Sequence, residues 1–300
     1  EAFGNWIEQL IAESTGKEGR GILPVVGTQP GPPAVYGNDC LFVSLQLDGD
    51  EDSFQETALS KLRAAGHPVV YLRIHDVYQL GGQFFLWELA TAVAGHIIGV
   101  NPFDQPNVES AKVLARKMIA DYKVQGRLPR PSAALTTEYV TVYGEIAGGS
   151  PAAMITNFLA ETKPGSYIGI QAYVQPTDSM GRSLRELQKW LMGHYKLATT
   201  IGYGPRFLHS TGQLHKGDGG RGCFLQIKSD DKEDLPIPDE LGSSRSSVSF
   251  GVLKEAEALG DMQALLRAGR RVISLHMRGD APASLDRLTE ALRGTGVASR

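Results

Sequence analysis

Tyr167-Ile168-Gly169-Ile170-Gln171-Ala172-Tyr173-Val174 decides the fold class. It is a short apolar run without a charge, the pattern of a strand covered on both sides. Beyond it, Ser183 to Tyr195 reads as a helix. The same alternation extends outward. Strand-like runs follow at Cys223 to Ile227 and Val272 to Met277, and others precede at Leu41 to Leu47 and Val69 to Ile74. A less regular run covers Thr136 to Tyr143. Helix-like segments lie at Phe3 to Ser14, Ser53 to Ala65, Gln83 to Ile98 and Val108 to Lys123, then at Pro151 to Glu161, Val252 to Arg267 and Ser284 to Leu292. Strand and helix in alternation predict an α/β fold, a three-layer α/β/α sandwich around a mainly parallel sheet. The stretch Lys228 to Ser249, rich in charge, Pro and Ser, reads as a long loop. Pro129 to Pro131 and Gly148 to Pro151 read as connections, so residues 1–300 are taken as one region.

Composition narrows the function classes. A 300-residue chain with 42% hydrophobic content can bury a large core. A net charge of −3 gives no footprint for nucleic acid. No apolar run reaches membrane-spanning length. Cys40 and Cys223 are far apart and form no C-x-x-C pair, which predicts buried free thiols in a reducing, cytoplasmic setting. The chain begins at Glu1 and not at Met, as a fragment or a processed product would.

Three motif matches fail on their context. Gly217, Gly219 and Gly222 have G-x-G-x-x-G spacing, but a helix precedes and a strand follows, the reverse of a dinucleotide fingerprint. Asp48, Asp50 and Asp52 begin like a calcium loop, but Ser53 and Leu59 stand where Gly and Glu belong. Asp52 reads instead as a helix cap. The seven His residues form no H-E-x-x-H and no Cys/His cluster, so no metal site is expected.

Two ionisable residues sit where helices rarely want them. Phe3, Trp6, Ile7, Leu10 and Ile11 recur at helical spacing, and Glu13 lies three residues after Leu10, before a stop near Gly16. Glu13 either continues the buried stripe, with a carboxyl fit to act as a base, or ends an exposed last turn. Lys112 falls among Val108, Ala111, Ala115, Met118, Ile119 and Tyr122. It either snorkels along that apolar face or projects into a site. Asp104 is expected to cap this helix near Pro106. A third segment, Gly204 to Gly217, gathers His209, His215, Arg206, Lys216 and several hydroxyls between glycines. It suits either a phosphorylated or polyhydroxyl ligand, or a polar helix start with one His in the core.

Taken together these segments resemble phosphoglucose isomerase, and specifically the isomerase portion of the bacterial fusion of transaldolase and phosphoglucose isomerase. The resemblance rests on Glu13-Ser14-Thr15-Gly16-Lys17, Asn101-Pro102-Phe103-Asp104-Gln105-Pro106-Asn107, the segment from Gly204 to Gly217, and Phe250 to Asp261. It implies a sugar isomerase domain and reversible isomerisation of glucose 6-phosphate and fructose 6-phosphate through a cis-enediol. That reaction belongs to glycolysis, gluconeogenesis and the pentose phosphate pathway, and no cofactor is implied. Glu13 falls on the family's base, Lys112 on a ring-opening lysine, and Gln105 beside the substrate phosphate. Thr15 and Gly16 fall in the substrate-binding turn. His209 resembles the family's ring-opening histidine, although in stand-alone isomerases that histidine precedes the Asn-Pro-Phe-Asp-Gln segment. Asp218 stands where a second glycine is expected after Lys216. The transaldolase part and the first sugar-isomerase domain, whose Ser/Thr-rich loop binds phosphate, have no counterpart among these residues. The chain then reads as the C-terminal isomerase region of a larger protein, with the missing domains, a hexose phosphate and a second copy in a homodimer as partners. The alternative is a catalytically inactive sugar-phosphate-binding or assembly module.

Overall fold

The computed structural model describes residues 2–50 and 52–295. Helix α1 (Ala2–Thr15) opens the chain and is followed by β1 (Phe42–Leu47), α2 (Ser53–Ala64) and β2 (Val69–Ile74). β1 and β2 pair parallel, from Phe42 opposite Val69 to Leu47 opposite Ile74. A parallel pair needs a crossover, and α2 supplies it. Asp52 caps α2 as its position predicts, its carboxylate accepting from the N–H groups of Phe54 and Gln55. Helices α3 (Leu80–Ile98) and α4 (Glu109–Gln125) follow. α3 ends at Gly99, whose φ of 73° is a left-handed conformation that glycine adopts without strain. α3 is apolar nearly all round, and Phe85 and Ile97 are 67% and 75% exposed.

The second half of the chain is β3 (Ala133–Thr136), β4 (Val140–Tyr143), α5 (Pro151–Ala160), β5 (Tyr167–Tyr173), α6 (Asp178–Tyr195), β6 (Thr199–Tyr203), α7 (Ser210–Gly217), β7 (Gly222–Ser229), β8 (Pro236–Ile237), β9 (Val248–Ser249), α8 (Phe250–Arg267), β10 (Arg271–Met277) and α9 (Ala281–Gly294). Six of these strands form one sheet in the order β3-β4-β10-β7-β5-β6. From β10 to β6 the pairing is parallel, while β4 runs antiparallel to β10 and β3 antiparallel to β4. Helices cover both faces, so the expected three-layer α/β/α arrangement with a mainly parallel sheet is present.

The two faces differ in chemistry. On one, Ile168, Ile170, Leu225, Ile273 and Leu275 pack with residues of α5, α6 and α9 such as Leu159, Leu187 and Leu288. The other face, under α7 and α8, carries two polar rows. Gln171, Gln226, Ser274 and Tyr143 lie in register across β5, β7, β10 and β4, and so do Tyr173, Lys228, His276 and Thr141. Directly paired residues share a face, so each row is continuous. α8 satisfies part of this layer, since its Ala258 carbonyl accepts from the Gln226 side chain. α4 packs on the outer side of α8 across Gly260, where a Cβ would stand 2.9 Å from the Ala115 nitrogen. A side chain there would push the helices apart.

Three readings of the sequence are corrected. Thr136 to Tyr143 is not one strand but the hairpin β3–β4. The Thr137 side chain turns the chain by bonding both the N–H and the carbonyl of Val140. β6 went unrecognised because its five residues, Thr-Thr-Ile-Gly-Tyr, lack an apolar run. Its Gly202 is needed where a Cβ would stand 2.8 Å from the Phe207 ring. The stretch Lys228 to Ser249 is not wholly loop: β7 continues to Ser229, and β8 pairs antiparallel with β9.

Glu257 on α8 is half-buried, and burial alone raises its carboxyl pKa to about 6. A raised carboxyl contributes stability that is complete below the ordinary value and is lost as pH rises through about 6. Glu257→Gln is therefore expected to raise the melting temperature at pH 8 and to change it little at pH 4.5. Thermal unfolding across that range checks it, and an equal shift at both pH values would contradict it.

Candidate functional site

The three segments singled out in the sequence meet in space. α1 ends at the turn around Gly16, and α7 lies directly against that turn. A Cβ on Gly16 would stand 2.3 Å from the Leu214 Cα, so only glycine permits the approach. Gln213, fully buried, locks the contact. Its amide donates to the Gly16 carbonyl at 2.8 Å and to the Asn107 side-chain oxygen at 2.7 Å, while its own oxygen accepts from the Asn107 N–H at 2.8 Å. Lys17 makes a second tie. Its side chain is fully buried, donates to the Asn101 carbonyl at 2.7 Å and to the Asp104 carbonyl, and pairs with the Asp104 carboxylate at 3.0 Å. An ammonium group leaves water only with such partners.

Asp104 is thereby corrected. It does not cap α4, which starts after Val108 with no side-chain cap. The buried Lys17 claims its carboxylate instead.

Glu13 lies beside this clasp. Together with Trp6, Gln9, Leu10 and Ser14 of α1, and Gln105 from the Asn101 segment, it lines a cleft of about 280 Å³. Trp6 stacks on Phe3 at 5.5 Å and meets Phe84 edge-on at 4.5 Å, which fixes α1 against α3. The buried face of α1 is Ile7, Glu8, Ala12 and Thr15. Glu13 is half-buried beside that face and opens to the cleft. The carboxylate that does occupy the buried face is Glu8, which pairs with Arg206 at 2.9 Å. Burial pushes the Glu8 carboxyl up, and the Arg206 guanidinium opposes that rise. Sequence reading missed Glu8, because its partner lies 198 residues away and leaves no local signal.

The other expected site residues are placed differently. Thr15 is fully buried, and its hydroxyl donates to the Ile11 carbonyl at 2.7 Å while accepting from the Ile22 N–H at 3.0 Å. Thr15 and Gly16 thus build the turn and do not line the cleft. Lys112 is half-buried on α4 and His209 is exposed at the start of α7, and neither lines the cleft. Ala111 and Leu208, the residues directly before them, pack in one buried cluster. α4 and the turn into α7 therefore pack together at these neighbouring residues.

His215 is the core histidine of its segment. Its ring stacks on Phe207 at 5.6 Å, sits 4.7 Å from the Phe224 ring, and its Nδ1 is 3.3 Å from the Gln171 amide. Burial drives its pKa well below the ordinary value, and the positive charges of Lys216 and Arg206 add to the effect. It is a neutral packing residue. Next to it, Lys216 pairs with Asp261 of α8 at 2.5 Å, both buried. Among the described residues, no group of three His, Cys, Asp or Glu could hold a metal ion. No described helix is long and apolar enough to cross a membrane.

The clasp makes a direct prediction. Gln213→Ala leaves the Gly16 carbonyl and the Asn107 N–H without partners, at about 1–3 kcal/mol for each buried group. Urea unfolding should show the loss, and a change below about 0.5 kcal/mol, within the range of surface substitutions, would mean the clasp is not structural.

No family model matches the chain. The chain is similar over part of its length to curated proteins. The glucose-6-phosphate isomerase of Enterococcus faecalis is 28% identical over 146 residues, covering 37% of this chain and 32% of that protein. That of Clostridium tetani is 29% identical over 147 residues, and that of Heliobacterium modesticaldum 31% over 146. A solved structure, hypothetical protein TT0462 from Thermus thermophilus, aligns over 96% of this chain and 75% of its own, with 15% identity and a TM-score of 0.39. The chain spans about a third of the length of the enzymes it matches. Over that part it is similar to glucose-6-phosphate isomerases.

Proposed function

We propose that the protein containing this chain interconverts glucose 6-phosphate and fructose 6-phosphate, with Glu13 as the base that moves the proton. The observation that carries this reading is the cleft in which Glu13 and Gln105 share a wall, next to a clasp that holds their two segments together. In the proposed reaction Glu13 takes the proton from C2 of the opened aldose. The C1 carbonyl oxygen gains a proton as the cis-enediol forms. Glu13 then returns its proton to C1 while the C2 hydroxyl loses one, which yields the ketose. No redox step and no net proton change is involved, so acid–base groups suffice.

The lining of the cleft contains no Lys, Arg or His. A sugar phosphate bound there needs its phosphate held by other groups, and remote binding energy of that kind positions the reacting carbons. We therefore assign turnover to the larger protein that also carries a phosphate-binding sugar-isomerase domain, the arrangement of the transaldolase fusion. The isolated residues 1–300 should be inactive or very weak in a coupled isomerase assay, and robust turnover would refute this.

His209 and Lys112 act in this reading on the closed ring. His209 is exposed where His215 is sealed in the core, so only His209 is open to a ligand. His209→Ala should slow reaction from the cyclic sugar more than deuterium exchange on the opened form. His215→Ala should act through stability alone. Rates from the two sugar forms on folded protein check the ranking, and its reverse would overturn the assignment.

A further inference from the structure

A second cavity, of about 960 Å³, lies away from Glu13 and shares no lining residue with that cleft. It opens beyond the carboxyl ends of β7 and β10. In open α/β sheets that edge is where ligands bind, and a volume of roughly 300–1,000 Å³ suits a small metabolite. Its floor is the polar row already described: Lys228, His276 and Thr141 in register, with Tyr143 beside them. This row is unusual for a sheet covered on both faces, where continuous apolar runs are the rule.

The charges around the cavity do not cancel. Each carboxylate in its lining already has a partner. Glu255 pairs with the buried Lys228 at 2.7 Å, Asp231 with Lys254 at 2.5 Å, and Asp230 with His276 at 3.2 Å. Asp234 accepts from the Gly251 N–H at 2.7 Å. The lining holds five Lys and Arg against four carboxylates, a small positive excess, and three guanidinium groups lie outside these ion pairs. Arg127 and Arg130 have no acidic partner among the described residues, and the Arg278 guanidinium donates only to the Thr137 carbonyl, at 3.0 Å. Arg127 and Arg130 sit on the segment Gly126 to Pro131, where Pro129 and Pro131 fix the backbone. Each guanidinium carries a fork of N–H donors that matches phosphate oxygens in pairs, and this rim supplies two such residues.

We propose that this cavity is a second ligand site, for a phosphorylated small metabolite. Arg127 and Arg130 grip the phosphate, and the floor of Thr141, Tyr143 and His276 meets the polar body of the molecule. The proposal does not depend on the isomerase reading, because no residue of the Glu13 cleft takes part.

Titration calorimetry on residues 1–300 at low salt tests it, with glucose 6-phosphate and inorganic phosphate as probes. Glucose 6-phosphate should bind more tightly than inorganic phosphate, since only it reaches the floor. Arg127→Gln with Arg130→Gln should weaken glucose 6-phosphate at least ten-fold. Both side chains are exposed, so the melting temperature should hold. Gln9→Trp, a bulky change in the wall of the Glu13 cleft, should leave the binding unchanged. Failure to bind glucose 6-phosphate, equal affinity for the two probes, or affinity untouched by the arginine pair would overturn the site. Loss of binding in Gln9→Trp would overturn it as well, by moving the ligand to the other cleft.

Discussion

Under the proposed function, Glu13→Gln in the larger protein is expected to lower isomerase turnover about 10²–10⁴-fold, the usual cost of removing a general base. Glutamine keeps the shape of the side chain, and the clasp behind it is untouched, since Gln213 and Lys17 bond backbone and side-chain groups other than Glu13. The change therefore isolates proton transfer from positioning. Ring opening, which the reading assigns to Lys112 and His209, should survive. The variant should then still open the cyclic sugar while failing to exchange the C2 proton of glucose 6-phosphate with solvent deuterium. KM should move little, because an interaction needed only in the transition state lowers kcat and kcat/KM together. Near-normal exchange in the folded variant would remove Glu13 from the mechanism. It would turn attention to Glu8, the other carboxylate of α1, whose raised pKa and pairing with Arg206 give it a different chemistry.

The sequence revealed the sheet well, because β5, β7 and β10 are rich in Ile, Leu, Val and aromatic residues, with polar residues between their ends only at the alternating positions of one face. β6 escaped because Thr199, Thr200 and Gly202 carry no such signal, and it is a strand only by pairing with Ile168 to Ala172. The candidate site was legible in part. Spacing on α1 marked Glu13 as a residue at the margin of an apolar face, and the structure puts it beside that face, at the cleft. What spacing could not reveal were the long-range ties. Asp104 resembled a helix cap by local chemistry, yet Lys17, 87 residues earlier, takes it. Thr15, which the resemblance places in the substrate-binding turn, donates to Ile11 and accepts from Ile22. In each case a buried group with an unmet hydrogen bond outbid the local preference, and no periodicity records that.

Lys216→Met is the substitution expected to cost the most stability, about 3–5 kcal/mol. Lys216 and Asp261 are both buried, 2.5 Å apart, and tie α7 to α8. Removing the lysine leaves a fully buried carboxylate with no countercharge. The loss should depend on pH in a definite direction. Burial already raises the Asp261 carboxyl, with the Lys216 charge opposing the rise. Without Lys216 the folded-state pKa rises further. A group raised on folding contributes stability at low pH and loses it as pH climbs through the folded value. The variant should therefore be far weaker than the parent at pH 8, and the gap should narrow toward pH 5 as Asp261 takes up a proton. Adding Asp261→Leu to Lys216→Met removes the stranded charge and should recover much of the loss at pH 8, because an apolar pair of similar volume is often no worse than a buried ion pair. Urea unfolding of the two single variants and the double variant at both pH values forms the cycle that measures this coupling. A pH-independent loss, or a double variant no more stable than Lys216→Met, would show that the segment through α7 is held to α8 by packing such as Phe207 on Ala258 and that the ion pair adds nothing to it.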